Sequence, residues 1–154
     1  MALCAWISIP FGYIAFTMQT FAVGLSLFTL GGKWGTASIL VYLLLGAVGL
    51  PVFAGFQGGL GVLLGVTGGY LWGFAATGLI YWALEKLCKP LGAVLGLLAC
   101  YGLGSVWFCL YSGGACFGAA VASCVIPYVI PDLGKGYLAW VASKRIRGSL
   151  TRNA

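Results

Sequence analysis

Two charged side chains, Asp132 and Lys135, stand three residues apart within a largely apolar part of the sequence. On a helix this spacing puts a carboxylate acceptor and an ammonium donor on one face. Inserting a carboxylate at the depth of a membrane interior costs on the order of 2.5 to 3.5 kcal/mol of free energy. Ionisable groups that are found there therefore usually serve a ligand or ion site. The alternative is that the two residues only pair with each other.

Two prolines, Pro127 and Pro131, precede this pair. Because proline removes a backbone donor, they predict an interrupted helix, followed by a new helix with Asp132 as its N-cap that runs to Arg147. Irregular backbone at membrane depth is tolerated mainly where it lines a cavity. The prolines therefore favour a binding site over a self-contained ion pair.

A glycine-rich stretch without charge, residues 51–69, is predicted to lie on the same side of the membrane as Asp132. The two irregular stretches together predict a pocket under a lid, with a few polar groups among apolar walls. The predicted walls are Phe53, Phe56 and Tyr70, and the predicted polar contacts are Gln19, Gln57 and Thr67. The alternative is that the glycine-rich stretch is only a tight surface connection.

The residue types present argue against catalysis. The sequence has no histidine, and its one aspartate and one glutamate are predicted to lie on opposite sides of a membrane, which excludes a hydrolytic triad and a carboxylate pair. No glycine loop is followed by Lys-Ser or Lys-Thr, so a P-loop ATPase is excluded as well. The six cysteines contain no Cys-x-x-Cys pair and support no metal site; a Cys109–Cys116 disulfide is an alternative use for two of them. We expect no enzyme, metal or cofactor.

The composition predicts a membrane protein, since 62% of the 154 residues are apolar and 6% are charged, against roughly 25% charged in soluble domains. A soluble chain of this length would expose large apolar patches. A spanning helix needs about 20 residues, so about six spans fit and residues 1–154 form a single membrane domain. Hydropathy predicts segments at residues 1–9, 17–30, 34–50, 68–87, 91–110 and 117–146, of which the first is too short to span.

The distribution of charge predicts the orientation. With both chain ends on one side, seven of the eight basic residues fall on that side, which the positive-inside rule makes cytoplasmic. They are Lys33, Lys86, Lys89, Lys144, Arg145, Arg147 and Arg152, accompanied by Glu85. Residues 144–154 thus form a short basic cytoplasmic tail. The net charge of +6 reflects membrane topology, and we expect no nucleic-acid partner.

Five strings carry a family resemblance: ISIP from Ile7, FTMQTFAV from Phe16, YLLLGAVGLPVFAG from Tyr42, GGLGVLLGVTGGYLWGF from Gly58 and IPYVIPDLGK from Ile126. In order and spacing they resemble the BioY family, the biotin-specific substrate-binding (S) components of energy-coupling factor (ECF) transporters. The resemblance implies an all-α integral membrane protein of about six transmembrane helices, S-component-like. Such a protein captures biotin on the extracytoplasmic side of the cytoplasmic membrane and delivers it inward. Its implied partners are membrane lipid, a transmembrane coupling subunit and ATPase subunits.

The resemblance also implies which residues approach the ligand. The family's polar motifs map onto Gln19, the stretch from Phe53 to Tyr70 that contains Thr67, and the pair Asp132 and Lys135. Asp132 is expected to accept from a ureido N–H of biotin while Lys135 donates to the ureido carbonyl. In the alternative, Lys135 binds the valerate carboxylate. The thiophane ring is expected to rest on aromatic walls, for which Tyr70, Phe53 and Trp107 are candidates.

The sequence departs from the family pattern in three places. Val66 and Ala15 stand where the family has proline, which loosens loops near the expected pocket. The first segment is shorter than the family's first helix, whose small-residue face docks the coupling subunit. Two other functions therefore remain open: an S component for a different vitamin, and a solitary biotin facilitator that works without the ATPase module.

Overall fold

The computed structural model describes residues 1–9, 15–113 and 117–152, with the side chains of 117, 119, 120, 123 and 150–152 left out. The described chain consists of helices and one small antiparallel sheet, in which Ser8 pairs with Thr17. In chain order the elements are α1 (Ala2–Trp6), β1 (Ser8–Ile9), β2 (Phe16–Thr17), α2 (Gln19–Ala47), α3 (Leu60–Leu63), α4 (Gly68–Leu84), α5 (Lys89–Tyr111), α6 (Phe117–Cys124) and α7 (Ile126–Arg152). One turn of 3-10 helix, Ala54–Phe56, precedes α3.

Helix α2 is a hairpin of two antiparallel arms. Gly31 has φ 82° and ψ 173°, a conformation open essentially to glycine alone, and it reverses the chain there. The amide of Gln19 donates to the Tyr42 hydroxyl at 2.8 Å, whereas a straight helix would separate these residues by about 34 Å. The two segments predicted on either side of Lys33 are thereby confirmed.

The helices pack closely around small residues. Helix α4 packs chiefly on α5, and α2 packs on both α7 and α4. The Thr77 hydroxyl lies 2.9 Å from the Gly73 carbonyl oxygen and 2.8 Å from that of Gly96, so it bridges α4 and α5. Small residues at helix contacts of this kind are typical of membrane bundles, where backbones approach one another closely.

The charged turns lie together at one end of the molecule. The Gly32 N–H, beside the turn of α2, donates to the Glu85 carboxylate at the end of α4. Arg147, in α7, donates through Nε to the Thr29 carbonyl at 3.0 Å. These contacts place Glu85, Arg147 and the turn that carries Lys33 at the same end of the molecule, as predicted. Asp132 lies about 22 Å away along α7.

The prediction for the two prolines is wrong. Helix α7 begins at Ile126 and continues through Pro131, so Asp132 lies inside the helix and does not cap it. The break falls earlier, at Val125, between α6 and α7. Pro127 is tolerated because first-turn N–H groups have no helical acceptor. Pro131 gives up a single bond to the carbonyl four residues earlier, which a membrane bundle tolerates.

The outer surface of the described chain is apolar. Large side chains are exposed on several helices, among them Leu44 at 65%, Leu98 at 57% and Leu110 at 76%. By length and hydropathy α2 and α5 each qualify as a membrane span, although the turn at Gly31 divides α2 into two arms. Helix α1 has five residues, as the shortened first segment predicted. Cys116 lies outside the described residues, so the Cys109–Cys116 pairing remains a prediction.

Candidate binding site

A cavity of about 470 Å³ opens at the end of the molecule opposite the charged turns. The small sheet, the first arm of α2, the stretch after α2, and helices α4 to α7 all contribute to its wall. Its lining includes all six side chains predicted to form a site, namely Gln19, Phe53, Thr67, Tyr70, Asp132 and Lys135. The cavity falls within the roughly 300–1,000 Å³ range of small-molecule sites.

Asp132 is the centre of a buried polar cluster and is 6% exposed. Its Oδ1 accepts hydrogen bonds from the Thr20 hydroxyl at 2.9 Å and from the Lys135 ammonium at 2.8 Å. Its Oδ2 accepts one from the Tyr101 hydroxyl at 2.7 Å. Since a carboxylate offers about four acceptor positions, the described residues fill three and leave one on Oδ2.

Lys135 completes the cluster from the next turn of α7 and is 5% exposed. Besides its ion pair with Asp132, its ammonium donates to the Thr17 carbonyl at 2.6 Å. The same nitrogen lies 3.7 Å from the centre of the Phe16 ring, a favourable position for a cation. Two of its three N–H groups are thus engaged by oxygen atoms, and the third has no oxygen acceptor among the described residues.

A chain of hydrogen bonds ties the small sheet to the stretch that follows α2. The Thr17 hydroxyl donates to the Gln19 amide oxygen at 3.0 Å, and the Gln19 amide donates to the Tyr42 hydroxyl at 2.8 Å. Tyr42 in turn donates to the Val52 carbonyl at 3.0 Å. Gln19, which is 7% exposed, is therefore positioned by β2 and by the second arm of α2, and it keeps a second amide N–H.

Aromatic rings form the apolar part of the wall. Phe53 stands edge-to-face on Tyr42, and its ring fills the space that a side chain at position 46 would need, so Gly46 is required there. Tyr70 occupies the corresponding space at Gly104. The Tyr70 hydroxyl is buried close to Ser105 and Cys124.

Two residues predicted as walls lie elsewhere. Phe56 is 63% exposed and stacks on Trp6, whose indole N–H donates to the Pro51 carbonyl at 2.8 Å. Trp107 donates to the Gly65 carbonyl at 2.9 Å, so it braces the glycine-rich stretch from outside the cavity. Neither residue lines the cavity, and both predictions are wrong. Gln57, a further predicted contact, does line it.

Residues 1–152 match the sequence model of the BioY family. The chain belongs to the BioY family. It is 38% identical over 145 residues to the "Probable biotin transporter BioY" of Pyrococcus horikoshii, covering 94% of this chain and 88% of that protein. It is 46% identical over 134 residues to the "Biotin transporter BioY" of Thermotoga maritima, covering 85% and 70% respectively. These relatives are named as transporters, in agreement with the prediction that the chain is not an enzyme.

The fold of this BioY-family chain is that of a solved membrane protein. It superimposes on the crystal structure of the S-component for biotin from an ECF-type ABC transporter with a TM-score of 0.84 and 25% identity. The match covers 96% of this chain and 84% of the other. The predicted all-α, S-component-like membrane fold is therefore confirmed.

Two members of the polar cluster, Thr20 and Tyr101, are not predicted from the sequence. Thr20 follows Gln19 directly within the FTMQTFAV string. The string predicts a ligand contact for Gln19 but none for Thr20. Tyr101 lies in the middle of α5, 31 residues before Asp132, and has no nearby polar motif. A single hydroxyl in an apolar helix carries no periodic signal, and Tyr101 gains its partner only where the fold brings its hydroxyl to Asp132.

Proposed function

We propose that this chain binds biotin in the 470 Å³ cavity and serves as the substrate-specific subunit of an ECF-type ABC transporter that takes biotin up across the cytoplasmic membrane. The observation that carries the proposal is the buried pair of Asp132 and Lys135. Together the two side chains offer one free acceptor position and one free N–H at the cavity wall. The names of the relatives in the BioY family support biotin as the ligand.

The free acceptor and donor match the ureido edge of biotin. That edge presents an N–H beside a carbonyl oxygen, so Asp132 Oδ2 would accept from the N–H and Lys135 would donate to the carbonyl. The rival pose, with the valerate carboxylate on Lys135, is disfavoured because the ammonium is already neutralised by Asp132 at 2.8 Å. A neutral polar group fits this cluster better than a second anion.

The apolar remainder of biotin would rest on the aromatic wall. Phe53, Tyr70 and Phe74 line the cavity and supply contact area for the thiophane ring. Thr67 and the second amide N–H of Gln19 would serve the valerate carboxylate or the outer part of the ligand. The six predicted site residues would thus divide between the two ends of one molecule.

The charged end is proposed to face the cytoplasm, together with the C-terminus, on the positive-inside rule. The exposed apolar helix faces would contact membrane lipid. Since the sequence has no P-loop, the energy for uptake would come from ATPase subunits, linked through a transmembrane coupling subunit. Residues 1–154 would act as a single membrane domain in that assembly.

Equilibrium binding of labelled biotin to the purified chain in detergent tests the proposal. Asp132→Asn should weaken binding by about 10- to 100-fold, because it removes a charged acceptor from a buried hydrogen bond. Glu85→Gln removes the same charge at the opposite end and should change the affinity by less than about twofold. Absence of binding by the folded wild-type chain would exclude biotin, and full binding by Asp132→Asn would place the ligand elsewhere.

A further inference from the structure

Among the described side chains, the excess of positive charge lies at one end of the molecule. The sequence has two acidic side chains, and Asp132 is paired with Lys135 at the other end. The other six basic residues with described side chains share a single carboxylate side chain, that of Glu85, which gives the charged end a formal charge of +5. They are Lys33, Lys86, Lys89, Lys144, Arg145 and Arg147. Glu85 is turned towards the Gly32 N–H, so its carboxylate is occupied within the fold.

A stripe of exposed side chains on α7 leads to this end. Leu133, Tyr137, Trp140 and Lys144 follow one another at intervals of four, three and four residues, which places them on one helix face about 16 Å long. Leu133, Tyr137 and Trp140 are 51%, 64% and 40% exposed. We call this face the α7 stripe.

The α7 stripe is ordered by contacts between its own members. The rings of Tyr137 and Trp140 lie 6.1 Å apart, and the Lys144 ammonium lies 3.6 Å from the centre of the Trp140 ring. Arg147 is one turn further along and contacts Thr29, close to the turn of α2 that carries Lys33. The stripe thus passes from an apolar side chain, through two aromatic side chains, to a group of cations.

We propose that the α7 stripe binds one anionic phospholipid, with its phosphate at Lys144 and an acyl chain along Tyr137 and Leu133. Tyr and Trp rings favour the headgroup level, and each Lys or Arg nearby attracts anionic lipid. An acidic protein would meet the cations but would not cover an apolar face that continues about 16 Å along the helix. A phospholipid fits both the cations and the apolar face of the α7 stripe. This proposal does not depend on biotin binding.

Native mass spectrometry of the full chain, with equal amounts of phosphatidylglycerol and phosphatidylcholine of identical acyl chains, tests this assignment. We expect phosphatidylglycerol to be retained at least about fivefold over phosphatidylcholine, the ratio that corresponds to about 1 kcal/mol per cation. Lys144→Ser and Trp140→Leu should each lower that preference several-fold. Lys89→Ser removes the same charge at the start of α5 and should preserve it.

Three results would overturn the proposal. Equal retention of the two lipids by the wild-type chain would exclude a headgroup site. Equal losses in Lys144→Ser and Lys89→Ser would show a diffuse attraction of the whole charged end, with no special role for the stripe. Displacement of phosphatidylglycerol by a polyglutamate peptide would assign the surface to an acidic protein. Circular dichroism of each variant would establish that it retains the helical fold.

Discussion

At the residue scale, the buried pair owes its stability to neutral hydrogen-bond partners. Asp132 and Lys135 are both nearly inaccessible, and desolvating two charges is repaid only when the remaining lone pairs and protons are also satisfied. Thr20, Tyr101 and the Thr17 carbonyl provide these bonds from three other segments. The cluster therefore contributes to the fold as well as to the proposed ligand contact, and the two contributions can be separated.

Replacing Lys135 alone should damage both stability and binding. Lys135→Met leaves the Asp132 carboxylate buried without its cation, so we expect a loss of about 3–5 kcal/mol of folding stability along with biotin binding. The double variant Asp132→Asn with Lys135→Met removes both charges and should recover most of the stability while still failing to bind. Thermal unfolding in detergent and labelled-biotin binding measure the two effects.

The opposite pattern would contradict this view of the pair. If Lys135→Met unfolds at the wild-type temperature, the buried ion pair is not part of what holds α7 in place. If the double variant binds biotin as the wild type does, the pair is not the ligand contact.

This pair can be predicted from the sequence because charged residues are scarce in the chain. The chain has ten charged residues, and Asp132 and Lys135 are the two that are predicted to lie in the outer half of the membrane. Their i, i+3 spacing forms an ion pair in the structure, as expected. Thr20 and Tyr101 could not be found in this way, because hydroxyl residues occur throughout apolar helices and gain a role only through contacts distant in sequence. Phe56 and Trp107 were misplaced for the related reason that an aromatic residue beside a cavity can face away from it.

At the element scale, the hairpin within α2 brings Tyr42 on its second arm to Gln19, which lines the cavity together with Thr20. Glycine and lysine at residues 31–33 predicted a turn there, and the structure confirms it. The prediction that Pro127 and Pro131 interrupt the helix is wrong. Both prolines lie where the loss of a backbone hydrogen bond costs little, and the sequence alone does not show this.

Gly31→Ala should destabilise the hairpin. Alanine is strained at φ 82° and ψ 173°, so we expect a loss of about 1–3 kcal/mol and a lower midpoint of thermal unfolding in detergent. The matched control is Gly102→Ala on α5, where an added Cβ meets nothing within 4 Å and alanine is the better helix former. That control should leave the midpoint unchanged or slightly higher. Equal midpoints for Gly31→Ala and the wild type would contradict the proposed strain.

At the scale of the whole molecule, the cavity and the charged turns lie at opposite ends, which fits capture on one side of a membrane and delivery to the other. Cys88, exposed in the turn between α4 and α5, is a native reporter of the charged end. In a chain whose other cysteines are alanine, we expect a membrane-impermeant maleimide to label Cys88 only after the cells are permeabilised.

A single cysteine at Gln57, beside the cavity, is the matched control. Gln57→Cys, in a chain without other cysteines, should be labelled in intact cells. Labelling of Cys88 in intact cells, with Gln57→Cys protected, would reverse the proposed orientation and place the charged end outside.

The most direct test of the account is a structure of the purified chain with biotin bound. We predict the ureido ring at the buried pair, with an N–H within about 3 Å of Asp132 Oδ2 and the carbonyl oxygen at a similar distance from the Lys135 ammonium. The thiophane ring should lie against Phe53 and Tyr70. Biotin bound outside the cavity, or inside it with its ureido ring away from Asp132 and Lys135, would contradict the account.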